Sequence, residues 1–208
     1  SLYTTPEGYL IKFTELKCYF TLFANGDSSL HQAALLEYRE TGSLLFKKEG
    51  ATQSYSNLST VLGVDASLNH LDPSAFPNES PLNISNAGPM HWGWNPGYIF
   101  VKVEAKVDTI PDNVDLFDHF VSFHIGKQEN LKTFQFTNIP WQKVDDFKSI
   151  ANLKLDMKIF FESPSPINLL NENQQILAAE ATKLARESDV LAAKLERLKK
   201  NYALMLFE

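Results

Sequence analysis

The sequence predicts a mainly β protein: an antiparallel β-sandwich followed by a C-terminal α-helical segment. Three observations carry that expectation. Runs rich in aromatic and β-branched residues, each closed by turn residues, fill the chain as far as Glu162. One of them, Gly97–Val107, alternates its side chains with strand periodicity. Beyond Ser163-Pro164-Ser165-Pro166 the apolar spacing changes to steps of four and three. The expected organisation is a β-sandwich domain over 1–162, its first strand lying ahead of the chain, and a helical segment over 163–208. That segment packs on the sandwich or on a partner.

The elements follow in order. Gly8–Phe23 is a long strand-like stretch ended by the turn signal Asn25-Gly26-Asp27. Leu30–Leu36 and Gly42–Lys48 are shorter apolar runs, and Leu58–Leu62 leads into Gly63. A polar segment from Asp65 to Pro96, with five prolines, reads as a long functional loop. In Gly97–Val107, Ile99, Val101, Val103 and Ala105 are expected on one face, with Tyr98, Phe100, Lys102 and Glu104 on the other. Leu116–Ile125, Thr133–Ile139 and Lys154–Phe161 complete the strands. Short strands without intervening helices are the pattern of an antiparallel sandwich. From Leu177 through Leu184, Leu191 and Leu198 to Met205 the apolar positions have heptad spacing. This gives one helix, or two if Ser188-Asp189 caps a second. It packs on the sandwich or forms a seam for a partner helix.

Composition closes off several classes of function. The 208 residues are 44% hydrophobic and 21% charged, which excludes wholesale disorder. No apolar run approaches the roughly 20 residues that cross a bilayer, so a soluble domain is expected. Nineteen Lys and Arg face 25 Asp and Glu, a net charge of −6, whereas nucleic-acid binding needs a basic face. The one dense basic cluster, Lys194–Lys200, is interrupted by Glu196 and reads as a solvated helix face. Cys18, the single cysteine, reads as a small buried hydrophobe. No phosphate loop, G-x-S-x-G elbow, H-E-x-x-H or C-x-x-C is present, and no enzymatic activity is expected.

Chemistry concentrates around the histidines and tryptophans. His31 is expected at the surface near a hairpin turn. His70 and His91 lie in the long loop, the latter in Met90-His91-Trp92-Gly93-Trp94. His119 and His124 share a strand but, five positions apart, point to opposite faces; Asp118 and Ser122 share the His124 face. His70, His91 and His124 gathered beside Met90 would suit copper or zinc. In extended chain Trp92 and Trp94 lie on one side, forming a plug for the sandwich end, a wall of a binding site, or a platform for sugars.

The blocks Leu62-Gly63-Val64-Asp65, Leu68-Asn69-His70, Ser80-Pro81-Leu82-Asn83, Met90-His91-Trp92-Gly93-Trp94 and Gly97-Tyr98-Ile99-Phe100 resemble the core signature of MbnP-type proteins, a family common in Bacteroidetes. Ser122-Phe123-His124-Ile125-Gly126 and Leu131-Lys132-Thr133-Phe134 are similar to its following segments. The resemblance implies an exported β-sandwich protein, often a lipoprotein, in the periplasm or on the outer membrane's surface. It implies copper(I) held by histidines and by a tryptophan that a dihaem oxidase converts to kynurenine. Carried over by motif, the metal candidates are His124, His70 and Trp94 or Trp92; His91 joins them by proximity. Asn171–Asp189 holds no histidine where relatives can carry one. The alternative expectation is a non-enzymatic interaction module or accessory subunit of an outer-membrane complex, needing no metal.

Overall fold

The computed structural model describes residues 2–38, 45–93, 97–110, 117, 119–153, 155, 156, 158, 169, 176 and 177. Strands β1 (Leu2–Thr4), β2 (Leu10–Asn25), β3 (Ser28–Glu37), β4 (Leu58–Leu62), β5 (Ile99–Asp108), β6 (His119–Gly126), β7 (Lys132–Phe136) and β10 (Ile176–Leu177) join in one eight-stranded sheet. Its pairings are antiparallel except β10 against β6. Two further strands, β8 (Gln142–Lys143) and β9 (Ser149–Ile150), make a separate hairpin.

The mainly antiparallel β architecture is the one expected, and β2 organises it. Residues 10–18 of this strand pair with β5, and residues 20–24 pair with β4 along the same edge. On its other edge β2 carries β1 and then β3. The change of neighbour coincides with a register shift between Thr21 and Ala24 and with Leu22 at φ +55°. A β-bulge bends a strand and lets it serve two arrays. One core cluster takes Val101, Val103, Ala105 and Val107 from β5 together with Leu62 from β4, and Phe134 of β7 packs against it. The two arrays therefore bury a common apolar face.

The alternation along β5 departs from expectation at its start. Val101, Val103 and Ala105 share the first core cluster, but Ile99 belongs to a second one with Tyr98 and Phe100. A register shift between Ile99 and Val101 inserts one extra residue and breaks the period of two. His31, expected at the surface, is half-buried on β3 and stacks on Phe46 with centroids 5.1 Å apart. That burial lowers its pKa. Leu177, expected to open the helical heptads, lies instead in β10, opposite His124.

The long loop is more regular than expected. It contains helices α1 (Ala66–Asn69) and α2 (Ile84–Ala87) and two 3-10 turns at Pro73–Ala75 and Gly88–Met90. The first three start in the same way. Asp65, Asp72 and Asn83 each accept a backbone N–H from a serine two residues on, at 2.9, 2.8 and 2.9 Å. A short polar side chain two residues before the orphan donor is a helix N-cap. Of the Gly42–Lys48 run, 45–48 form no strand. The remaining residues of that run, most of Lys154–Phe161 and nearly all of the heptad segment lie outside the described residues.

Candidate metal centre

The outer face of β3, β2, β5 and β6 carries two rows of polar side chains fixed by strand register. One row runs Glu37, Lys17, Lys102, His124; the next runs Glu15, Glu104, Ser122. Opposed residues in these rows include like charges, lysine beside lysine and glutamate beside glutamate, which is unfavourable by itself. Opposite charges directly across, two apart along a strand and on the diagonal resolve it. Lys17 Nζ lies 2.5 Å from Glu37 and 3.0 Å from Glu15, while Lys102 pairs with Glu15 and lies 3.2 Å from Glu104. His124 closes the chain. Its Nε2 is 2.9 Å from Glu104 Oε1 and 3.0 Å from Ser122 Oγ.

These charges are largely sheltered: the Lys102 side chain is only 9% exposed and the Lys17 side chain 15%. Burial raises the Glu15 carboxyl pKa, but hydrogen bonds from Lys102 and Lys17 overcome it, and the net shift is downward. Burial lowers the Lys17 pKa, yet hydrogen bonds to Glu37 and Glu15 bring the net shift upward.

Trp92 reaches this face from the loop. A Cβ placed on Gly126 would lie 2.5 Å from its Cζ3 and 3.0 Å from its Cη2. Gly126 follows His124 by two positions on β6, so the two share a face about 7 Å apart along the strand. The indole edge therefore sits over Gly126, on the side of His124 away from Ser122. Trp92 N–H donates to the Gly97 carbonyl at 2.9 Å, and its side chain packs against the second core cluster.

The other candidates are placed differently. His91 stands edge-on to Tyr98 with ring centroids 4.6 Å apart, and its Nδ1 accepts the Gly93 N–H at 3.1 Å. Its pKa is lowered by burial. A neutral imidazole accepting at Nδ1 carries its proton on Nε2, so neither nitrogen offers a lone pair while that bond stands. His70 is exposed at the C-terminal end of α1, next to Asn69, whose Oδ1 accepts the Tyr98 N–H at 3.0 Å. Met90, expected beside the imidazoles, is wholly buried in the second core cluster. Trp94 lies outside the described residues. Gly93 has φ +123°, so the backbone between the two tryptophans is not the extended chain that would align them.

Among the described residues no group of three or more His, Cys, Asp or Glu side chains forms a metal cluster. On this face they offer a single imidazole, that of His124. An ionised carboxylate only accepts, so in the contact with Glu104 it is His124 Nε2 that donates. The chemistry available is one imidazole held by Glu104 and Ser122, and one indole over Gly126, two positions further along β6.

The family model for MbnP matches residues 3–181. The chain belongs to the MbnP family. No curated protein sequence matches it. Among solved structures it is similar to MbnP from Methylosinus trichosporium, with 17% identity and a TM-score of 0.40. The similarity covers 65% of this chain and 63% of that one.

In this MbnP-family chain the residue missed by sequence reasoning is Glu104. The sequence places it on the strand face of Lys102, and Ser122 on that of His124, but strand register decides that Glu104 meets His124. The signal that could have found it is a carboxylate and a histidine on the polar faces of successive antiparallel strands.

Proposed function

We propose that the protein is an exported copper-binding protein of the MbnP type, which holds copper(I) or hands it on without catalysing a reaction. The observation that carries this reading is the shared outer face of Trp92 and His124, reached from loop and strand respectively. His124 supplies the imidazole, and Trp92 or Trp94, opened to kynurenine by a dihaem oxidase, supplies a second contact. His70 and His91 join if the loop closes over the ion, His91 by giving up its bond to Gly93. A site of borderline imidazole nitrogens in a partly apolar setting suits copper over hard cations. The protein acts in the periplasm or at the outer-membrane surface, held there by a lipid anchor.

Copper analysis and an intact-mass spectrum of protein from its native cells test this reading. Stoichiometric copper and an opened indole, mapped to Trp92 or Trp94, support it. Copper-free protein that also refuses copper(I) in a chelator competition, or a His124→Ala variant with unchanged affinity, removes it.

A second reading has its own observation. The hairpin of β8 and β9 holds Val144 and a fully exposed Phe147 at its tip, anchored at its base by Trp141, whose Nε1 donates to the Tyr55 carbonyl at 2.9 Å. Such an apolar tip suits an interaction module or accessory subunit of an outer-membrane complex, with no metal required. Loss of complex assembly in Phe147→Asp with unchanged folding supports it. Sugar binding at the tryptophans predicts fluorescence quenching by oligosaccharide, and a flat titration removes it.

A further inference from the structure

We infer that the end of the outer sheet face built from Leu2, Lys12, Lys106 and Phe120 docks on an anionic phospholipid surface. The lysines meet headgroup phosphates, and the apolar ends dip in beside them. The inference rests on the membrane location proposed above and is independent of copper. Strand register makes the four residues one row. Leu2 of β1 opposes Lys12 of β2, Lys12 opposes Lys106 of β5, and Lys106 opposes Phe120 of β6. Their chain neighbours Ile11, Val107 and Val121 are buried in the first core cluster, so the row faces outward. All four side chains are exposed, Leu2 at 51% and Phe120 at 44%.

The charge of this row is unlike that of its neighbours. Lys17 and Lys102 also oppose each other, but each of them reaches two carboxylates. Among the described residues no carboxylate lies within ion-pair distance of Lys12 or Lys106. The Lys12 ammonium stands instead 5.8 Å from the centre of the Phe117 ring. Asp108, next on that face of β5, is buried and accepts the Ile110 N–H at 3.0 Å. Two like charges directly across a sheet repel, and an anion set against both relieves them. A lipid fits this row better than a protein does. Protein interfaces are depleted in lysine, whereas a lysine at a membrane lays its stem along apolar groups and lifts its ammonium to the phosphates. Leu2 and Phe120 supply those apolar groups on either side, as on an interfacial segment.

The test is sedimentation of the whole chain, at low and at physiological salt, with vesicles of phosphatidylglycerol and phosphatidylethanolamine and with vesicles of phosphatidylcholine. The expected result is partition onto the anionic vesicles alone, weakened by salt. Lys12→Gln combined with Lys106→Gln should lower that partition about 10–30-fold. Phe120→Ser should lower it without altering its salt dependence. Lys143→Gln combined with Lys148→Gln changes the charge equally at the β8–β9 hairpin and should leave partition as it was. No partition onto anionic vesicles at low salt overturns the inference. So does an equal loss in the two lysine pairs, which would make the attraction one of overall charge. Crosslinks from Lys12 or Lys106 to an envelope protein, without vesicle binding, would give the face to an acidic protein partner instead. Fractionation of native cells separates the failures. Chain in the membrane fraction that ignores vesicles overturns this inference alone, and chain wholly in the soluble fraction overturns the membrane location with it.

Discussion

The hydroxyls of Tyr19 and Tyr98 donate to consecutive carbonyls of the long loop, Pro81 at 2.9 Å and Leu82, while their rings meet edge to face at 5.5 Å. Both side chains are fully buried, one on β2 and one immediately before β5. Burial raises both phenol pKa values, that of Tyr98 to about 12, so both remain protonated donors. The loop that carries His91 and Trp92 is thereby tied to the sheet at two adjacent points.

Removing one tie leaves a buried carbonyl without its donor. Tyr98→Phe is expected to lower stability by about 1–3 kcal/mol in urea unfolding. Hydrogen exchange in the 78–91 segment should accelerate more than in β5. Equal acceleration throughout would mean that the tie supports the whole fold and not the loop.

Gly126 marks where Trp92 rests. Gly126→Ala puts a methyl 2.5 Å from the indole, so the ring must move or the strand must shift. Overpacking of this kind costs about 1–3 kcal/mol. Tryptophan emission should move to longer wavelength as the ring leaves its seat. An unchanged emission spectrum would place Trp92 elsewhere.

The ionic rows predict how stability follows pH. Glu15 titrates below its ordinary value of 4.5, so its contribution is complete above that value and is lost as pH falls through the lowered one. Lys17 titrates above its ordinary value of 10.5, so its contribution is complete below that value and is lost as pH rises through the raised one. Thermal midpoints measured from about pH 3 to 6 should fall on the acid side, and Glu15→Gln should flatten that limb. A parallel curve for the variant would assign the acid limb to other carboxylates.

Phe147 is fully exposed at the hairpin tip, so its ring contributes little to the fold. Phe147→Ser is expected to change stability by less than about 0.5 kcal/mol. A larger loss in urea unfolding would show that the hairpin tip packs against part of the chain.

Much of the fold is legible in the residues themselves. β4 falls on the Leu58–Leu62 run that leads into Gly63, and β2 ends at Asn25-Gly26-Asp27 because that sequence turns. His119 and His124 are separated by an odd number of positions, and pairing puts His124 on the face of Lys102 and Glu104. The caps at Asp65, Asp72 and Asn83 were also legible, each two residues before a serine, although the loop was expected to be irregular.

What the sequence alone determined is local: strand periodicity, turn chemistry, the family motif and the polarity of each strand face. Tertiary structure decided what meets what. The bulge between Ile99 and Val101 moves Ile99 to another core, and no local propensity marks it. Register brings Glu104 to His124, and loop packing brings Trp92 over Gly126. The reason is that strand pairing joins residues distant in the chain, and its register is set by the sum of the buried contacts, not by the residues at any one position.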